Sequence, residues 1–143
     1  MSIDFWKFLL LGSLGNIGRG ATRADIEREF GPPSVFTPAR KSYPTFMVYG
    51  DLEFHLRADQ VTLATLTFTE GPPQLPEGIT IDGFPPETER RFENIRKELL
   101  TRNIRWERDE IMSDEWQQVF RTERGVHLVF GARVLGKLGI EYA

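Results

Sequence analysis

Residues 52–57, Leu-Glu-Phe-His-Leu-Arg, alternate apolar and polar side chains without interruption. Successive side chains of a β-strand point to opposite faces, so Leu52, Phe54 and Leu56 share one face and their polar neighbours share the other. Such alternation is typical of an antiparallel sheet that has one buried face and one wet face. The stretch therefore predicts a sheet whose polar face is open.

Strand signals continue on both sides of this stretch and recur later in the chain. Residues 45–49 are aromatic and β-rich, and a Thr-rich strand is predicted for 61–69. Four further strands are predicted at 104–108, 115–122, 126–130 and 133–142, with polar or glycine-containing turns between them. We expect an antiparallel sheet of about seven strands.

Three helices are predicted. The first covers about 3–11 and is capped by Ser2. The second is capped by Thr22 and Asp25 together, and a glycine ends it. The third covers about 86–102, where apolar residues recur at helical spacing. The glycine-rich segment between the first two helices lacks the spacing of a phosphate-binding loop, so it is predicted to be an ordinary loop.

The helix and strand signals occur twice in the same order. Residues 1–70 form a first helix–sheet unit and residues 87–143 a second, joined by a linker over 71–86 that is rich in proline and glycine. Within this linker, 79–81 is expected to add a brief edge strand. The prediction is one α+β domain over 1–143, a two-layer sandwich with helices on one sheet face and two tandem α-β-β-β(-β) units.

Composition limits the classes of function. The chain has 143 residues, a net charge of −3 and no cysteine. The charge argues against nucleic-acid binding, and the missing thiol excludes cysteine-based zinc sites and thioether lipid anchors. The apolar run after Asp4 contains Lys7 and is too short to span a membrane, so a packed helix is favoured over a signal peptide. We expect a cytoplasmic protein that is a monomer or a weak dimer and has no membrane partner.

No cluster of residues predicts a reaction. His55 and His127 are the only histidines, and a metal site needs three or more convergent ligands. The neighbouring carboxylates at 109–110 and 114–115 are expected to be polar turns. We therefore expect no catalytic residue, metal or cofactor. The alternative is a small-ligand or enzymatic pocket between helices and sheet that uses His55 or His127 as acid/base.

The polar face of the sheet is the candidate binding surface. Arginine and aromatic anchors among polar groups suit protein binding, although an ordinary solvated face fits the same pattern. Self-association through the apolar first helix is a third possibility. The candidate residues on this face are Tyr49, Glu53, His55, Arg57, Arg105, Glu107, Trp116, Gln117, Arg121 and His127.

Two segments, 17–33 (IGRGATRADIEREFGPP) and 48–56 (VYGDLEFHL), also carry a resemblance. The first resembles the helix–loop–sheet unit of the outer-membrane lipoprotein A (small protein A) family, although this chain lacks the lipidated cysteine. Two such units in tandem look like the β-lactamase-inhibitory-protein-like fold, and the hairpin at 49–54 is similar to some immunity proteins of bacterial toxin systems. The resemblance implies a two-layer α/β fold and a non-enzymatic protein of inhibitor or immunity type, with a toxin or an enzyme as its partner.

Overall fold

The computed structural model describes residues 1–142, which contain three α-helices and ten β-strands. The helices are α1 (Phe5–Leu11), α2 (Arg23–Phe30) and α3 (Phe92–Thr101), and a 3₁₀ turn at Glu87–Arg90 precedes α3. The strands are β1 (Ser2–Asp4), β2 (Val35–Thr37), β3 (Thr45–Tyr49), β4 (Leu52–Arg57), β5 (Gln60–Thr67), β6 (Thr80–Asp82), β7 (Trp106–Arg108), β8 (Gln117–Thr122), β9 (Val126–Gly131) and β10 (Val134–Glu141).

Eight of the strands form one antiparallel sheet in the order β2-β3-β4-β5-β10-β9-β8-β7. The chain is therefore an α+β protein, and its sheet has eight strands rather than about seven. The additional strand is β2, which pairs with β3 at one edge of the sheet. Three residues are too few to show alternation, and the prolines on both sides of this segment argue against a strand there.

All three helices pack on the same face of the sheet, which carries the apolar members of the alternating strands. Aromatic rings make the contacts. Phe5 of α1 lies 6.3 Å from Phe68, Phe30 of α2 lies 5.4 Å from Phe54, and Phe92 of α3 lies 5.4 Å from Phe130. The other face of the large sheet carries no helix, and we call it the helix-free face.

Helix α2 confirms the predicted capping box. The Thr22 side chain accepts from the Asp25 backbone N–H at 3.2 Å, and the Asp25 carboxylate accepts from the Thr22 N–H at 2.9 Å. Gly31 then ends the helix with a positive φ. The local sequence is sufficient to predict this cap, because every group in it lies within a few residues of its hydrogen-bond partner.

Helix α1 starts two residues later than predicted, because residues 2–4 form a strand instead. Asp4 rather than Ser2 caps the helix by accepting from the Lys7 N–H. Strand β1 pairs in parallel with β6 of the linker, where a brief strand was expected at 79–81. This separate two-stranded sheet connects the linker to the start of the chain.

No helix among residues 1–142 is long and apolar enough to cross a membrane.

The predicted third helix is interrupted near its start. Residue Arg91 is extended, with ψ 147°, and separates the 3₁₀ turn from α3. The Phe92 N–H donates to the Arg133 carbonyl at 2.9 Å, and Arg91 forms a bridge with Val134. The chain therefore leaves the helical conformation here to bond to the start of β10, which sequence periodicity cannot show.

Two details of the sheet recur in its two halves. The β4–β5 turn has positive φ at Ala58 and Asp59, and the β9–β10 turn has positive φ at Ala132 and Arg133. Each hairpin then contains one unpaired residue at the same distance from its turn, Thr62 in β5 and Gly136 in β10.

Candidate functional site

One line of side chains crosses the whole helix-free face. Its members are direct cross-strand partners, one from each strand of the large sheet. We call this line the transverse row. Four of the predicted candidates, Glu53, His127, Arg121 and Glu107, belong to it. In strand order the row is Val35, Val48, Glu53, Thr65, Gly139, His127, Arg121 and Glu107.

The middle of the row is formed by small residues. Thr65 of β5 lies opposite Gly139 of β10, which has no side chain. At about 4.8 Å per strand, Glu53 on one flank and His127 on the other are about 14 Å apart. A low centre with polar flanks is therefore the basic geometry of this face.

On the first flank, Glu53 and His55 form a polar pair. The two side chains approach to 2.9 Å, and the Phe46 ring packs edge-on against the imidazole with 4.5 Å between centroids. Both polar groups are half-buried. The pair presents a carboxylate beside an aromatic edge, which is a mixture of charge and apolar area that a binding surface can use.

On the other flank, His127 lies next to the carboxylate of Asp109, a residue predicted to belong to a polar turn. Asp109 approaches its Nε2 to 3.5 Å, and both side chains are largely buried, at 11% and 15% exposed. Arg121 and Glu107 lie 3.7 Å apart beside them. The 109–116 loop brings Asp109 here because Ser113 bonds to both backbone groups of Val119 in β8. No local pattern reveals this placement.

Asp109 is held in its ionised form. Its pKa lies below the usual range, first because its carboxylate accepts the Met112 backbone N–H, and further because His127 and Arg121 are close. A carboxylate with a lowered folded-state pKa adds stability above its unfolded pKa, and that stability is lost as pH falls through the folded pKa. This flank of the row is therefore sensitive to acid.

The change Asp109→Asn should lower the urea midpoint at pH 7, because the amide loses the charge that its neighbours stabilise. The difference from wild type should shrink at an acid pH below the lowered folded-state pKa of Asp109, where the wild-type carboxyl also becomes neutral. Urea unfolding at both pH values measures it. Glu110→Gln is the matched control, since Glu110 is exposed and forms a surface ion pair with Arg108. A midpoint difference that is independent of pH contradicts the prediction.

Two predicted members of the face lie elsewhere. Tyr49 points to the helix side, is fully buried and donates its hydroxyl to the Gly31 carbonyl at 2.8 Å. Burial raises the pKa of its hydroxyl to about 12. Trp116 precedes β8, because Asp114 accepts the N–H groups of both Trp116 and Gln117 in a turn. Its indole is 80% exposed at the end of the sheet.

The remaining candidates flank the row. Arg57 donates to the Ser42 carbonyl at 3.0 Å, and Gln117 donates to the Met112 carbonyl at 3.2 Å. Arg105 is exposed just before β7 and lines a cavity of about 640 Å³ together with Arg121. These side chains border the face without forming one compact cluster.

The histidine pocket of the alternative interpretation is not where it was expected. His55 and His127 lie on the helix-free face and not between the helices and the sheet. Neither lines the 640 Å³ cavity or a second cavity of about 660 Å³ at the end of the sheet. Within residues 1–142, no three His, Asp or Glu side chains converge as metal ligands would.

Comparisons of the chain with protein-family models, with curated proteins and with solved structures found no match. The resemblance to the lipoprotein and inhibitory-protein folds therefore stays a prediction.

Proposed function

We propose that the protein binds a protein partner through the helix-free face, with the transverse row at the centre of the contact. The observation that carries this proposal is the row itself, which places charged residues on both sides of a low centre on a sheet face without a helix. Inhibition of an enzyme or neutralisation of a toxin is the form of binding that the resemblance implies. The composition of the chain suggests that this binding occurs in the cytoplasm, by a monomer or weak dimer.

The dimensions of the face favour a macromolecule. Eight strands at about 4.8 Å spacing span about 34 Å, and a six-residue strand is about 20 Å long. The product, about 680 Å², approaches the ~800 Å² that each partner contributes to a standard protein interface. The 109–116 loop already covers Val119 at the β8 end of this face. A small ligand would cover only a fraction of it.

The charges along the row favour a partner with a complementary pattern. Glu53 lies on one flank, and Arg121 lies on the other beside the Asp109–His127 pair. Arg121 lies near the carboxylates of Glu107 and Asp109, so acidic groups predominate on both flanks. A partner that presents basic groups to both flanks would therefore be complementary. Such complementarity chiefly provides specificity and fast association.

We further propose that the chain consists of two related units, which would make the face pseudo-symmetric. Matching positions are 74 residues apart, as Ala58 and Ala132 are. The Phe68 N–H donates to the Gly136 carbonyl at 2.8 Å, and the Tyr142 N–H donates to the Thr62 carbonyl at 2.9 Å. Exchanging each residue for the one 74 positions away converts either hydrogen bond into the other. Thr65 and Gly139 are also 74 residues apart and are direct cross-strand partners, so the centre of this pseudo-symmetry lies between them.

Thr65→Arg tests the binding proposal, because it places a long charged side chain at the low centre of the row. The matched control is Thr101→Arg, which makes the same change at an exposed position of α3, in the helix layer. We expect a partner captured from native lysate by wild type and by the control to be lost with Thr65→Arg, at least about tenfold, as for a disrupted interface centre.

The lysate comparison is decided by the difference between the two arginine variants. A photo-crosslinker at position 65 should join the same partner, and one at position 101 should not. If Thr65→Arg retains every partner that wild type captures, the helix-free face is not the binding surface.

A further inference from the structure

Arg90 is the most unusual charged group in the structure. Its residue is only 4% exposed, and no carboxylate within residues 1–142 lies within ion-pair distance. Nη1 donates to the Pro85 carbonyl at 2.8 Å, while Nε is buried without an acceptor. The guanidinium also lies 5.0 Å from the Phe84 ring. Among the described residues, one hydrogen bond and one ring are the contacts made with this charge.

A buried charge without a counter-ion is costly. Buried charges in proteins are normally paired or bound to a ligand, because removal from water is expensive and one neutral acceptor recovers only part of the cost. Natural sequences tend to keep such conflicts at functional sites. The absence of a counter-ion near Arg90 therefore indicates that an anionic ligand binds beside its guanidinium.

Arg90 lines the cavity of about 660 Å³ at the end of the large sheet, where β5 ends and β10 begins. This volume lies in the range of small-molecule sites. The exposed indole of Trp116 forms part of the same wall. Apolar side chains supply much of the rest: Phe68, Val129, Val134 and Leu135.

The other charges in the cavity narrow the choice of anion. Glu70, Glu87 and Lys137 also line it, and all three are exposed to solvent, which screens them. The carboxylates of Glu70 and Glu87 would repel a doubly charged phosphate more strongly than a singly charged carboxylate. The buried cation therefore favours one carboxylate, and the apolar wall favours an apolar body attached to it.

We propose that this cavity binds a small organic carboxylate with an aromatic body, whose carboxylate is held by Arg90 and whose ring packs against Trp116. This inference rests on the cavity alone and is independent of the partner proposed for the helix-free face. Phenylacetate is the simplest probe with these features. Phenethylamine has a similar body but the opposite charge, so it is the matched control ligand.

The Arg90 Nε–H and the Trp116 indole N–H report on the two ends of the site in ¹⁵N-labelled protein. Phenylacetate should shift both signals saturably in the millimolar range, as expected for a fragment-sized ligand. Phenethylamine should shift neither. If phenylacetate produces no saturable shift, or phenethylamine binds equally well, the proposal is wrong.

Two variants separate binding from folding. Arg90→Gln should weaken phenylacetate binding about tenfold or more, because a charge-assisted hydrogen bond is lost. Trp116→Ala should weaken it a few-fold without affecting the fold, since the indole is exposed. Arg96→Gln changes an exposed arginine of α3 and should leave the affinity unchanged. Equal affinity in wild type, Arg90→Gln and Trp116→Ala would overturn the assignment.

Discussion

Replacing Phe130 with alanine is expected to lower the free energy of unfolding by about 3–5 kcal/mol. Phe130 is 1% exposed and touches three other rings: Phe92 at 5.4 Å, Phe120 at 5.9 Å and Trp106 at 6.2 Å. Truncation removes buried apolar area and leaves a cavity that rigid aromatic neighbours cannot fill. The loss is large against a total stability of about 5–15 kcal/mol for a typical domain.

Val129→Ala is the matched control, since it removes apolar atoms from the neighbouring position on the opposite face of β9. Val129 is half-buried, so we expect a loss of about 1 kcal/mol or less. Urea unfolding followed by circular dichroism gives both values. Equal losses for the two variants would show that the helix side of β9 is not the main core, contrary to the ring contacts.

The sequence predicted those parts of the fold that depend on local periodicity. Residues 52–57 alternate strictly, and β4 has the expected boundaries and faces. Residues 45–49 are apolar at four of five positions, so alternation could not decide which face Tyr49 occupies. Pairing decides it, because Tyr49 lies opposite the buried Leu52.

Elements that depend on distant partners were missed or misplaced. Strand β1 exists because residues 2–4 pair with β6, some eighty residues later. The interruption at Arg91 exists because the Phe92 N–H bonds to Arg133. Neither partner can be recognised from the local sequence. The prediction therefore followed helix propensity alone and extended both helices through these residues. The burial of Arg90, just before this interruption, could not be predicted for the same reason.

The sequence predicts which side of each strand the candidate residues occupy, but not that they align in one transverse row across the sheet. Alternation assigns Glu53 and His127 to the same side of their strands, but only the pairing of β5 with β10 places them on one line. Asp109 was missed because a turn carboxylate has no preferred direction until the 109–116 loop is fixed by Ser113. Site residues contributed by loops need tertiary contacts, which periodicity does not contain.

Gly50→Ala should destabilise the protein by about 3–4 kcal/mol, a large effect for one added methyl group. Gly50 has a φ of +64°, which costs an alanine about 1–2 kcal/mol. The new Cβ would also lie 2.2 Å from the Gln74 carbonyl oxygen, so the linker must move away. That movement breaks two hydrogen bonds between Asp51 and Gln74, each contributing about 0.5–1.5 kcal/mol.

Gly125→Ala is the matched control, because it introduces the backbone strain of an alanine at positive φ without any contact with the linker. Gly125 has a φ of +91° in the β8–β9 turn, and no atom lies within 4 Å of a Cβ added there. We therefore expect only the conformational part, about 1–2 kcal/mol. Urea unfolding gives both values, and faster hydrogen exchange at the Gln74 amide should accompany Gly50→Ala alone. Equal destabilisation by the two variants would mean that the linker is not held by the β3–β4 turn, because the strain at positive φ is common to both.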